Sequence, residues 1–149
     1  METKNRPEVE VILQRLAQMC DTGYALALHI RYTRPTVMYR TYPSDWLAHY
    51  SARGMMLSDP VVHWGLTNTG YVYWDSIDLP DPDQVISEAA RFGLRNGLTC
   101  AVGPARSRSI SGFSRSSGPF DAAEAAELLA LTEKLHALTA IAEPESDRV

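Results

Sequence analysis

The sequence predicts an α+β fold in which helices pack on an antiparallel sheet. Apolar residues recur at helical spacing near both ends of the chain: Val11, Ile12, Leu16 and Met19 at one, Leu128, Leu131, Leu135 and Leu138 at the other. Two strand-like runs, 24–32 and 36–39, flank an Arg34-Pro35 turn signal and read as a hairpin. Several helical segments then follow one another before strands return. That order does not suit the regular strand–helix alternation of a doubly wound parallel sheet.

In chain order, the first helix covers residues 8–19, with Pro7 in its first turn, where a missing N–H costs little, and Gly23 beyond its end. The run 24–32 alternates weakly and reads as a largely buried strand. Ser44 is placed to cap a second helix reaching about Arg53, with Asp45 in its first turn. Asp59-Pro60 and Asp81-Pro82 each combine a capping side chain with a proline at a helix start. Between them, 70–81 reads as an irregular connection carrying Trp74. Strands are expected at 98–102 and 110–116, separated by a Gly/Pro/Ser/Arg loop. Asp121 followed by Glu124 is a capping-box start for the last helix, whose leucine stripe suits either a core face or a coiled-coil seam. Without repeats or long linkers, residues 1–149 read as a single domain with a polar tail at 143–149.

Composition narrows the function. With 45% hydrophobic and 21% charged residues, the chain has enough apolar content for a core and too little charge for general disorder. No apolar run approaches the ~20 residues of a membrane helix, and METKNRPEVEV lacks the apolar segment of a secretory signal. Cys20 and Cys100 read as free thiols in a reducing compartment, which places the protein in the cytoplasm. No metal-type spacing occurs, and no metal or cofactor is expected. A net charge of −4 and one basic run, Arg106, Arg108 and Arg115, argue against direct nucleic-acid binding; that run reads as a solvated loop and strand edge. Catalysis is not expected either. His29, His49, His63 and His136 are scattered, Cys100 and His63 meet only if the fold brings them together, and no G-x-S-x-G elbow exists.

The densest chemistry lies in TYPSDWLAHYSARGMMLSDP, residues 41–60. Four-residue spacing puts Tyr42, Trp46 and Tyr50 on one aromatic stripe. Such a stripe is either a core face or one wall of a ligand site. Three rings with polar tips need three partners when buried, and Asp59 adds a carboxylate beside an apolar Met55-Met56-Leu57. Asp59 caps its own helix, accepts an N–H from an amide-containing ligand, or does both.

The pattern Y-P-x-x-W-x-x-x-Y, then D-P nine residues on, then Trp fifteen residues past the Asp, resembles the autoinducer-binding domain of LuxR-type quorum-sensing regulators. Here it is Tyr42-Pro43, Trp46, Tyr50, Asp59-Pro60 and Trp74, and the likeness continues through EAARFGLRNGLTCAVGP, residues 88–104. The resemblance implies an α-β-α sandwich with a buried N-acyl-L-homoserine lactone. It implies that Trp46 donates to the lactone carbonyl, Asp59 accepts the amide N–H and Tyr42 bonds the acyl-amide carbonyl. Tyr50 and Trp74 would supply ring surface, and Ser114, with Ser116 as the alternative, would support the amide carbonyl. Val61, Val62, Leu28, Ile30 and Met38 are candidates to line the acyl tail.

Some positions depart from the family pattern: Ala101 replaces a usual proline, Gly70-Tyr71 precedes Trp74, and Arg115 sits near the serine. The sequence carries no helix-turn-helix after the leucine-striped helix, so it reads either as a ligand-binding domain cut from a longer regulator or, the favoured expectation, as a stand-alone domain. It would act as a homodimer, or as a heterodimer with a full-length LuxR-type regulator through the leucine stripe. The alternative is a ligand-free scaffold of the same fold that modulates a regulator by contact.

Overall fold

The computed structural model describes residues 5–32 and 34–140. Its centre is an antiparallel sheet of β1 (Gly23–Arg31), β2 (Arg34–Arg40), β3 (Gly70–Tyr73), β4 (Leu98–Val102) and β5 (Arg108–Ser114), in the order β2-β1-β5-β4-β3. Helices α1 (Arg6–Met19) and α5 (Ala122–Leu138) cover one face, and α2 (Ser44–Ala52), α3 (Pro60–Thr67) and α4 (Val85–Arg91) lie over the other. The expected α-β-α sandwich is therefore the observed architecture.

The two faces bury different chemistry. Under α1 and α5 the core is mainly aliphatic: Val9, Ile12, Leu16, Leu26, Leu28, Leu98, Phe113, Leu128 and Leu135. Val11 is 66% exposed, so the first stripe runs through Val9, one turn before Ile12, and not through Val11. Both thiols lie in this layer, and burial pushes Cys20 and Cys100 up to about 12. Leu128 and Leu135 are fully buried, with Leu131 and Leu138 packed beside them, so the leucine stripe is a core face of its own domain and not an open seam.

Local starts and stops follow backbone chemistry. Asp59 accepts the Val61 N–H at 2.8 Å, and Asp121 and Glu124 form both halves of a capping box. Ser44 is the first helical residue and not the cap; Pro43 stands in the cap position and no side chain bonds there. Asp81 holds the Val85 and Ile86 N–H groups at 2.8 and 3.2 Å, and α4 begins three residues later than Asp81-Pro82 suggests. Residues 70–73 form edge strand β3 rather than an irregular connection, because Val72 and Tyr73 find partners in Thr99 and Leu98.

Two arginines of the basic run are structural rather than solvated, while Arg106 is exposed as expected. Arg108, 8% exposed, donates to the carbonyls of Gly103, Gly65 and Asn68 at 2.8, 2.8 and 2.6 Å. Arg115 forks onto Glu124 at 2.7 and 2.8 Å and lies over the Phe120 ring, which turns it away from the Tyr42, Trp46, Tyr50 stripe. The tail beyond residue 140 lies outside the described residues.

Candidate functional site

Between α2, α3, α4 and the sheet lies a cavity of about 420 Å³, within the range of small-molecule sites. Tyr42, Trp46, Tyr50, Asp59 and Trp74 all line it, with Ala25, Ala27, Val61, Val62, Ile86, Ile110 and Gly112 among the others. The α2 stripe therefore faces the cavity. Trp46 is 4% exposed and packs against Tyr50, His49 and Phe92, with ring centroids 5.7, 5.9 and 5.3 Å away.

Two polar tips are free. Among the described residues, neither the Trp46 indole N–H nor the Tyr42 hydroxyl has a hydrogen-bond partner, yet neither is sealed from access. Buried polar groups in proteins are nearly always paired, so two open tips on one cavity wall are available to something that enters it. The others are engaged: Tyr50 donates to Asp59 Oδ2 at 2.7 Å, and Trp74 Nε1 donates to Thr99 Oγ1 at 2.9 Å.

Asp59 is 7% exposed, and burial raises its carboxyl pKa against the lowering effect of the Tyr50 hydroxyl and the Val61 N–H. Burial also drives the Tyr42 phenol well above its usual range, so it stays a neutral donor. For Asp59 the folded pKa lies above the unfolded one. Its stabilising contribution is thus complete below the unfolded pKa and is lost as pH rises through the folded value. Ligand-free wild type is expected to lose stability relative to Asp59→Asn as pH rises above the ordinary carboxylate range of about 4. Melting temperatures of the two proteins across that rise check this, and parallel curves would refute it.

Ser114 does not join this constellation. It is fully buried at the end of β5, where its hydroxyl lies 2.7 Å from Thr22 Oγ1 and 3.4 Å from the Gly23 carbonyl. Ser116 lies past the strand and bonds Asp21. The β5 position beneath the Tyr42 hydroxyl is Gly112, where a Cβ would stand 2.8 Å from that oxygen. Of the tail candidates, Val61, Val62, Ile30 and Met38 line the cavity, whereas Leu28 faces the aliphatic core.

Sequence reasoning missed Gly112, Thr99, Gly97 and Arg40. Alternation along 98–102 would have placed Thr99 on the cavity face, opposite Leu98 and Cys100. Cys100 and His63 lie on opposite faces of the sheet, and the His63 ring is 3.0 Å from the Leu57 carbonyl. His29 and His136 do meet, stacked at 4.0 Å, but away from the cavity. Among the described residues no group of three or more His, Cys, Asp or Glu could hold a metal, and no helix is long and apolar enough to cross a membrane.

A family model described as the autoinducer binding domain matches residues 10–142. The chain belongs to this family. The autoinducer-binding domain is similar to the regulatory protein SdiA of Escherichia coli K12, 36% identical over 124 residues, covering 78% of this chain and 50% of SdiA. It is 29% identical over 114 residues to the transcriptional activator SolR of Ralstonia nicotianae, covering 75% and 48% of the two chains. The chain thus spans about half the length of these relatives, which are regulators and not enzymes. A solved structure of SdiA in complex with octanoyl-rac-glycerol superposes with a TM-score of 0.63 at 31% identity, covering 90% of this chain and 57% of that one.

Proposed function

We propose that this autoinducer-binding domain senses an N-acyl-homoserine lactone or a related acylated signal and passes the information on by protein contact. The observation that carries the reading is the pair of unpartnered donors, Tyr42 O–H and Trp46 N–H, opening onto an apolar cavity beside a buried carboxylate. The indole N–H is assigned to the lactone carbonyl, the Tyr42 hydroxyl to the acyl-amide carbonyl, and Asp59 to the amide N–H. Tyr50 holds the Asp59 carboxylate in place, and Trp74 forms the wall above Gly97. The ligand in the SdiA complex also joins an octanoyl chain to a compact polar head, which supports an acylated class of ligand.

The division of labour follows from solvation. Each buried methylene contributes about 0.8 kcal/mol, so the tail supplies most of the affinity. The head supplies selectivity, since any donor or acceptor left unmatched in the cavity is penalised. The alternative, a ligand-free scaffold, would have its pocket filled by its own side chains, and a cavity of about 420 Å³ argues against it.

Output through a partner fits the basic residues, since Arg108 and Arg115 are spent inside the fold and form no surface for DNA. We assign the domain a place in homodimers or in heterodimers with full-length regulators of the family. With the leucine stripe buried, that contact uses another surface.

A panel of acyl-homoserine lactones tests the receptor reading by melting temperature. A ligand at about 100 times its dissociation constant adds about 2.7 kcal/mol, a shift of roughly 5–10 °C at this size. No shift with any chain length would leave the fold intact and remove the lactone assignment.

A further inference from the structure

The sheet wall of the cavity is bare along one line. Thr99 on β4 pairs with Gly112 on β5, Gly112 with Ala25 on β1, and Ala25 with Arg40 on β2. Beside it run Ile110, Ala27 and Met38. Glycine and alanine at the centre of these rows leave a shallow trench. It starts under the Tyr42 hydroxyl at Gly112 and crosses two strand spacings to Arg40, about 10 Å. At that end the cavity opens to solvent, because β2 is the sheet's edge and the lining residues Met38, Met56 and Leu57 are 46%, 46% and 79% exposed.

Arg40 stands at this opening. It lines the cavity, is itself exposed, and among the described residues makes no hydrogen bond or ion pair. A chain laid in the trench with its head at Tyr42 and Trp46 therefore points its far end at an unengaged guanidinium. A methyl end there stays partly wet and gains little from burial. A carboxylate end keeps part of its hydration, so its desolvation cost is small, and it matches the two-pronged geometry of the guanidinium.

We propose that the site favours acyl amides whose chain ends in a carboxylate, with Arg40 pairing that end where the chain leaves the cavity. This rests on the receptor reading above and narrows its ligand class. Arg40 acts on ligand choice, not on the fold, since replacing it breaks no bond among the described residues.

Isothermal titration of the purified chain with octanoyl-homoserine lactone and with its suberoyl counterpart, which ends in a carboxylate, tests the pairing. Both ligands are then measured on Arg40→Gln. The expected result is that the preference for the suberoyl compound drops by about three- to tenfold in Arg40→Gln and fades in wild type as salt is raised. An equal ratio of the two affinities in both proteins, with octanoyl-homoserine lactone still bound, would overturn the role of Arg40 alone. Binding of neither lactone by wild type would overturn the receptor reading and this inference with it.

Discussion

Asp59→Asn separates folding from binding. The amide keeps the shape of the carboxylate and retains an oxygen for the Val61 N–H, and the Tyr50 hydroxyl turns to accept from the new NH₂. Removing a buried charge whose ionisation is disfavoured leaves the ligand-free protein as stable as wild type near pH 7, or more so. Toward an amide-bearing ligand the change is adverse, because the N–H meets a donor where it met a charged acceptor. A charge-assisted hydrogen bond contributes about 1.5–3 kcal/mol, so affinity is expected to fall roughly 10- to 100-fold. Calorimetric titration beside a melting curve of the same sample reads both quantities. An unchanged affinity would place the ligand's N–H elsewhere in the cavity.

Gly97→Ala is expected to be among the most damaging single methyl additions on this face of the sheet. A Cβ at Gly97 would fall 1.9 to 2.3 Å from three atoms of the Trp74 indole, well inside contact distance. The ring has no easy retreat, since its N–H is held by Thr99 and it is 7% exposed in a packed cluster with Trp46 and Met55. Overpacking of this kind costs about 1–3 kcal/mol or more, here a loss on the order of 10 °C in melting temperature. The displaced indole also moves into the cavity, so ligand binding falls with stability. A melting temperature within about 1 °C of wild type would mean that β4 gives way locally at little cost.

Much of the architecture is legible before folding because local chemistry and tertiary packing agree. Asp59-Pro60 and Asp121 with Glu124 are local helix-start signals, and both begin helices here. The Tyr42, Trp46, Tyr50 stripe is visible as a period, and so is its companion Asp59. What a period does not reveal is which face of a helix meets what, so the stripe alone leaves both core and cavity open. Strand β3 escapes notice because four residues carry little pattern and owe their extended form to β4. Ser114 illustrates a different limit. Alternation puts it on the same side as Gly112, but the strand ends there and Thr22, distant in sequence, takes its hydroxyl. Arg108 looks like a surface charge because its partners are backbone carbonyls, which no side-chain pattern announces.

The Arg108 clamp also decides how α3 can move. Its guanidinium holds carbonyls in the last turn and at the C-terminal end of that helix, while its third bond anchors it to Gly103 at the end of β4. One end of α3 is thus a fulcrum, and the other is tethered to α2 through the Tyr50–Asp59 hydrogen bond. As with any lever, displacement grows with distance from the pivot, and the far tip of this one carries Pro60, Val61 and the capping Asp59. A small tilt that leaves the sheet undisturbed is therefore felt most by the carboxylate assigned to the ligand's amide, and occupancy there fixes the tip of a beam whose base is already bolted down.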